Sequence, residues 1–191
     1  MKELDGKTAI ISGGAEGIGL GIAQVLGRYG MNIVIADINA EQLEKARQNL
    51  EQAGTPVLAV SLDVVAVEQW RKVAEQAMDR FGKVHMLVNN AGVGGAPKPI
   101  DTSSEQDWRW VVDVNLMGVV NGAQTVIPLI KGHGEGGWVV TGSYTPLKQA
   151  TDKPVEVRVA AASIKKKKHL HNSTQQAKSQ NHTLDTYYDE A

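Results

Sequence analysis

The sequence predicts one α/β domain over residues 1–147, built on a doubly wound parallel sheet. Three observations carry this expectation. Short, almost continuously apolar runs alternate with amphipathic stretches of helical length. The first run empties into a glycine-rich turn, Ser12-Gly13-Gly14-Ala15-Glu16-Gly17-Ile18-Gly19, and an acid, Asp37, closes the second. Strands that are apolar on both faces belong to a parallel sheet covered by helices on each side, and a repeating βα order winds it in two halves.

The elements follow in order. Thr8 to Ser12 (TAIIS) is short and β-branched and reads as the first strand. The stretch after the glycine turn, GIGLGIAQVLGRYG, is helical. Asn32 to Asp37 is the second strand, and Ala40 to Ala53 is a helix with Leu43, Ala46 and Leu50 on one face. Val57 to Leu62 is the third strand. Val67 to Phe81 is a helix whose inner face carries Val73, Ala77 and Phe81. Val84 to Asn89 is the fourth strand. Trp108 to Ile130 reads as one long helix, with Val112, Leu116, Val119, Ala123, Val126 and Ile130 as its apolar stripe. Trp138 to Thr141 is the fifth strand.

Bulk properties bound the function. The 191 residues carry a net charge of −1, which argues against partnership with nucleic acid or a membrane surface. There is no Cys, so disulfides, thiolate metal sites and Cys nucleophiles are excluded; no metal site is expected. No signal-peptide h-region or run of membrane-spanning length is present, and a cytoplasmic protein is expected. Character changes after Pro146. Residues 148–191 hold eight Lys and Arg against five Asp and Glu, where residues 1–147 hold twelve against sixteen. Residues 148–163 are ambiguous, and Val155 to Ile164 reads as one further strand or helix. Residues 164–191 lack apolar periodicity and are expected to be a disordered, polar tail. Within it, Lys165 to Lys168 read as a solvated charge cluster or a nucleic-acid patch, the former being commoner.

The glycine turn is built for a dinucleotide. Gly13 suits a tight turn, Gly17 lets the backbone approach a pyrophosphate, and Gly19 lets the following helix pack closely. The helix start at Ile18 offers unpaired N–H groups and a positive dipole end. Asp37 can accept from both ribose hydroxyls of an adenosine, and its charge repels a 2′-phosphate. Glu16 adds negative charge beside the turn. NAD is therefore expected over NADP. Asp63, after the third strand and beside Val64, is placed to reach an adenine amino group.

In these motifs and those that follow, the chain resembles the short-chain dehydrogenase/reductase family over about residues 4–147. The glycine turn matches, with Ser12 for the usual Thr. Asn89-Asn90-Ala91-Gly92 matches the family's most diagnostic tetrapeptide, DWRWVVDVNLMGVV its long interface helix, and GGWVVTGS its fifth strand. The resemblance implies a Rossmann-type fold and hydride transfer between a nicotinamide cofactor and a small alcohol or ketone. It implies that Asn90 and Ala91 brace the sheet and, with Gly92, line the ribose side. It puts Asn115 and Ser143 on the catalytic Asn and Ser, and a homo-oligomer contact on residues 108–130.

One family element is missing. The resemblance implies a Tyr-x-x-x-Lys about a dozen residues after Ser143, but that window reads Pro154-Val155-Glu156-Val157-Arg158-Val159-Ala160. Tyr144 and Lys148 have the literal spacing, yet Tyr144 directly follows Ser143 and Pro146 interrupts the pair. Without an activated phenol, general acid–base help worth on the order of 10²–10⁴ in rate is lost. The abrupt change reads as a foreign reading frame, a splice end or a degraded copy, with the family's last strands missing and the sheet edge beyond the fifth strand exposed. Two functions stay open: an NAD-linked oxidoreductase with weak or no turnover, and a catalytically silent NAD-binding or regulatory module.

Overall fold

The computed structural model describes residues 4–95 and 99–142 with their side chains, and 161–164 as backbone. The apolar runs form strands β1 (Thr8–Ser12), β2 (Asn32–Asp37), β3 (Val57–Ser61), β4 (Met86–Asn89) and β5 (Gly137–Thr141). These five pair in parallel in the order β3-β2-β1-β4-β5. Order reverses between β1 and β4. In such sheets the crevice outside the carboxyl ends at that reversal is where ligands bind.

Helices α1 (Gly17–Arg28), α2 (Ala40–Gln52) and α3 (Val67–Phe81) connect the strands as the periodicity predicts. The two-residue period of the strands splits the core into two layers. Ala9, Ile11, Ile33 and Ile35 pack with Ala23, Leu43 and Leu50 on one face. Ile10, Val34 and Leu87 pack with Trp70, Val73, Val126 and Ile130 on the other. Each fully buried side chain of this size contributes about 1.5–3 kcal/mol. Phe81 is only partly buried; Trp70, three residues before Val73, is the large side chain at the centre of the second layer.

The long helix departs most from expectation. It begins earlier and is interrupted: α4 (Glu105–Val112) continues through a π-helical segment (Asp113–Met117) into α5 (Gly118–Gly132). The earlier start follows from a capping box, in which Ser104 Oγ accepts from the Asp107 N–H at 3.2 Å and Asp107 accepts from the Ser104 N–H at 3.0 Å. The π segment inserts a residue into the turn and rotates the phase of the apolar stripe. Val126 and Ile130 are buried as predicted, but Val112 and Leu116 are 45% and 56% exposed. The inward positions there are instead Val114, partly buried against the second layer, and the buried Gly118 and Gly122 of α5.

The all-parallel expectation is corrected at one edge. A sixth strand, β6 (Ala161–Ile164), pairs antiparallel with β5, so β5 is not left exposed as an edge. It lies within the run for which strand or helix stood open. The other tail residues lie outside the described set. Among the described residues no helix is long and apolar enough to cross a membrane.

Candidate functional site

The loops leaving β1 and β4 are joined by hydrogen bonds. Ser12 Oγ accepts from the backbone N–H groups of Asn90 (3.1 Å) and Ala91 (3.2 Å) and donates to the Val88 carbonyl (3.4 Å). Asn90 Nδ2 donates to the carbonyls of Gly13 (2.9 Å) and Ser12 (3.2 Å). Ser12 is only 2% exposed, so its hydroxyl serves this brace and does not line the cleft. The two turns are thereby held as one wall.

The three glycines have separable geometries. Gly13 has φ +63°, and a Cβ there would stand 2.8 Å from Ala91 Cα. Gly19 would place a Cβ 2.0 Å from the Gly13 carbonyl oxygen, so α1 packs on the turn only because that position has no side chain. Gly17 has φ +54°, but a Cβ there would meet nothing within 4 Å. It faces open space. Glu16, at the N-cap of α1, makes no side-chain cap, so the first N–H groups of the helix have no capping acceptor.

These turns border a cleft of about 740 Å³. Gly13, Glu16, Gly17 and Ile18 line it from the first turn, Asp37 from the end of β2, Asp63 and Val64 from the loop after β3, and Asn90, Ala91 and Gly92 from the loop after β4. Ser12 and Gly19 shape it from behind. The long helix adds Trp110, Asp113 and Val114 as a further wall. All three fall within the DWRWVVDVNLMGVV match to the interface helix, but that match gives no sign that they face the cleft. Among the described residues the lining includes Glu16, Asp37, Asp63 and Asp113 but no Lys, Arg or His.

Both predicted base-end acids bind backbone. Asp37 accepts from the N–H groups of Ala15 (3.2 Å) and Asn39 (3.0 Å), tying the glycine turn to the end of β2. Asp63 Oδ1 accepts from the Val65 N–H at 3.0 Å. Asn115, in the π segment, does not line the cleft. Its Oδ1 accepts from the Val93 N–H (2.8 Å) and its Nδ2 donates to the Val93 carbonyl (2.9 Å), so the amide holds a wall residue. Ser143, Tyr144 and Lys148 lie outside the described residues.

A second polar cluster lies at the opposite end of the strands. Ligand-type atoms of His85, His133 and Glu135 fall within 4.8 Å of one another. Every ring nitrogen is engaged: His85 Nδ1 accepts from the Thr8 N–H (3.1 Å) and Nε2 faces Glu135 (3.1 Å), while His133 Nε2 meets the Val84 carbonyl (2.8 Å) and Nδ1 accepts from the Glu135 N–H (3.2 Å). A metal on His85 Nε2 would require a proton on Nδ1, where the Thr8 N–H already points. Burial pushes the His85 pKa down despite Glu135, and Lys83 and His85 hold the Glu135 carboxyl down at about 2.

The sequence model of the short chain dehydrogenase family matches residues 7–155. Among curated relatives, a C alpha-dehydrogenase of Sphingobium sp. (strain NBRC 103272 / SYK-6) is 36% identical over 143 residues, 75% of this chain and 47% of the relative. A 7alpha-hydroxysteroid dehydrogenase of Escherichia coli (strain K12) is 36% identical over 138 residues, 72% of this chain and 53% of the relative. The chain thus spans about half the length of these relatives. Among solved structures, a short chain dehydrogenase/reductase from Burkholderia phymatum in complex with NAD superposes with a TM-score of 0.71 at 39% identity, over 74% of this chain and 50% of that one.

Proposed function

The chain belongs to the short chain dehydrogenase family, and we propose that it binds NAD(H) in the cleft beyond β1 and β4 as an oxidoreductase of small alcohols or ketones, with weak or no turnover. The observation that carries the nucleotide reading is the open position at Gly17, directly before uncapped N–H groups of α1. Backbone donors there suit a pyrophosphate in a cleft whose described lining residues include no cation. The carboxylates of Asp37 and Glu16 in a lining that holds no Lys or Arg among the described residues favour NAD over NADP.

When bound, the nicotinamide supplies or accepts the hydride. In this reading Asp37 receives the adenosine ribose, Asp63 the base, and Asn90 to Gly92 the ribose side. Asn115 holds Val93 in the wall, and Ser143 orients the substrate oxygen. Weak turnover follows from the window at 154–160, which carries no Tyr-x-x-x-Lys. Trp108, Val112 and Leu116, spaced one turn apart and exposed, support self-association through the long helix.

A catalytically silent NAD-binding module is the second reading. It is favoured by the engagement of the Asn115 amide with Val93. The test is NADH titration by fluorescence beside NAD-dependent oxidation of a panel of secondary alcohols. Binding with turnover supports the oxidoreductase, binding without turnover the module, and no binding at millimolar NADH refutes both.

A further inference from the structure

The loop after β3 is held from behind by the long helix. Asn121 of α5 is 7% exposed, and its Nδ2 lies 3.1 Å from both the Val64 and the Val65 carbonyl oxygens. Trp70 Nε1 donates to the same Val64 carbonyl at 3.0 Å. Gln69 Oε1 accepts from the Asp63 N–H at 2.7 Å. Gly118, one turn before Asn121, lies so close that a Cβ would stand 2.7 Å from Val64 Cγ2 and 2.9 Å from Val64 Cβ. The residues so held, Asp63, Val64 and Val65, all line the cleft.

We infer that Asn121 is a positioning residue for nucleotide binding, setting the Asp63–Val65 loop as the base-side wall of the cleft from the rear face of α5. The inference deepens the NAD(H) reading and rests on it. A loop of three residues has many conformations, and binding a rigid base would have to order it. Two carbonyls tied to one buried amide remove that freedom in advance, so the loop meets the base without further ordering. A buried amide facing two acceptors from one loop is also hard to replace: without it the Val65 carbonyl loses its side-chain donor and the Val64 carbonyl keeps only Trp70. Asn121 touches no reacting atom; it acts through Val64 and Val65.

The test uses the full chain and ADP-ribose, which keeps the adenosine, pyrophosphate and second ribose of NAD and lacks only the nicotinamide. Asn121→Leu keeps the volume and removes both donors. Titrated by calorimetry well below the melting temperature of either protein, ADP-ribose is expected to bind the variant about tenfold more weakly, equivalent to about 1.4 kcal/mol. Hydrogen exchange at the Val65 and Ala66 amides, both bonded to Asp63, is expected to accelerate, while β1 and β2 amides keep their protection. Gly118→Ala is the second variant and carries the test if Asn121→Leu does not fold. It improves helix propensity yet drives a methyl into Val64, so ADP-ribose is again expected to bind several-fold more weakly. Unchanged ADP-ribose affinity in a folded variant overturns the inference even if its melting temperature falls, since a purely structural role would move only the melt. Failure of the wild-type chain to bind ADP-ribose overturns the NAD(H) reading itself and is told apart by that first titration.

Discussion

Gly17→Ala separates the shape of the phosphate turn from the stability of the fold. Gly17 sits at φ +54°, where an L side chain costs about 1–2 kcal/mol. No atom lies within 4 Å of the new methyl, so no packing penalty adds to this backbone cost. For a chain of this size each kcal/mol moves the melt by about 2–4 °C, and a decrease of about 2–8 °C is expected. Binding should suffer more. The methyl stands in the space through which a pyrophosphate must reach the N–H groups at the start of α1. Hydrogen bonds to charged groups are worth about 1.5–3 kcal/mol each. Losing one weakens binding roughly 10- to 100-fold. NADH fluorescence titration and a thermal melt on the same preparation read both quantities. Wild-type affinity in Gly17→Ala would refute the placement of the pyrophosphate. A collapse of the melt far beyond 10 °C would refute the steric argument.

Three other outcomes are expected. Gly19→Ala must displace α1 from the turn, because its methyl would lie 2.0 Å from the Gly13 carbonyl oxygen; a loss of about 1–3 kcal/mol in urea unfolding is expected, and an unchanged midpoint would contradict the packing of that helix. Asp37→Asn removes the charge and can still accept from only one of the Ala15 and Asn39 N–H donors; the preference for NADH over NADPH should shrink about tenfold in paired titrations at low salt, and an unchanged ratio would exclude charge as its cause. Stability should fall on acidification. Desolvation holds the folded His85 pKa below its ordinary value, with His133 and Lys7 also opposing charge and Glu135 favouring it. Its stabilisation is complete above an unfolded pKa of about 6.5 and is lost as pH falls through the folded value. Glu135, held down at about 2, acts in the same direction at lower pH. Melting temperatures measured from pH 8 to pH 4 should decline below about pH 6.5, less steeply in His85→Asn; a flat profile would argue that His85 protonates equally in both states.

Much of the site is readable before folding because its residues are fixed by local backbone needs. Gly13 and Gly17 take positive φ and Gly19 has no room for a side chain, and Asp37 ends a strand whose apolar run is unmistakable. Asn121 is invisible by the same reasoning. It lies 57 residues from Val64 and joins it only when α5 packs beside α3. The Ser104–Asp107 capping box is a local signal that places the helix start at Glu105, three residues before the start at Trp108 that apolar periodicity gives.

The long helix marks the boundary between the two kinds of information. Apolar periodicity establishes that the segment is helical and that Val126 and Ile130 face the core, because a buried stripe repeats at the pitch of a helix. It cannot report the π segment, because no residue type marks a turn widened by one residue, and the phase shift it brings shows only once the helix is packed. That segment turns Val112 and Leu116 outward and brings Gly118 against Val64 and Gly122 against Trp70 and Asn89. Sequence alone therefore determined the alternating strands, the phosphate turn and its acid. Only tertiary packing decided which face of the long helix meets the cleft, because that choice depends on side chains far apart in the chain competing for the same volume.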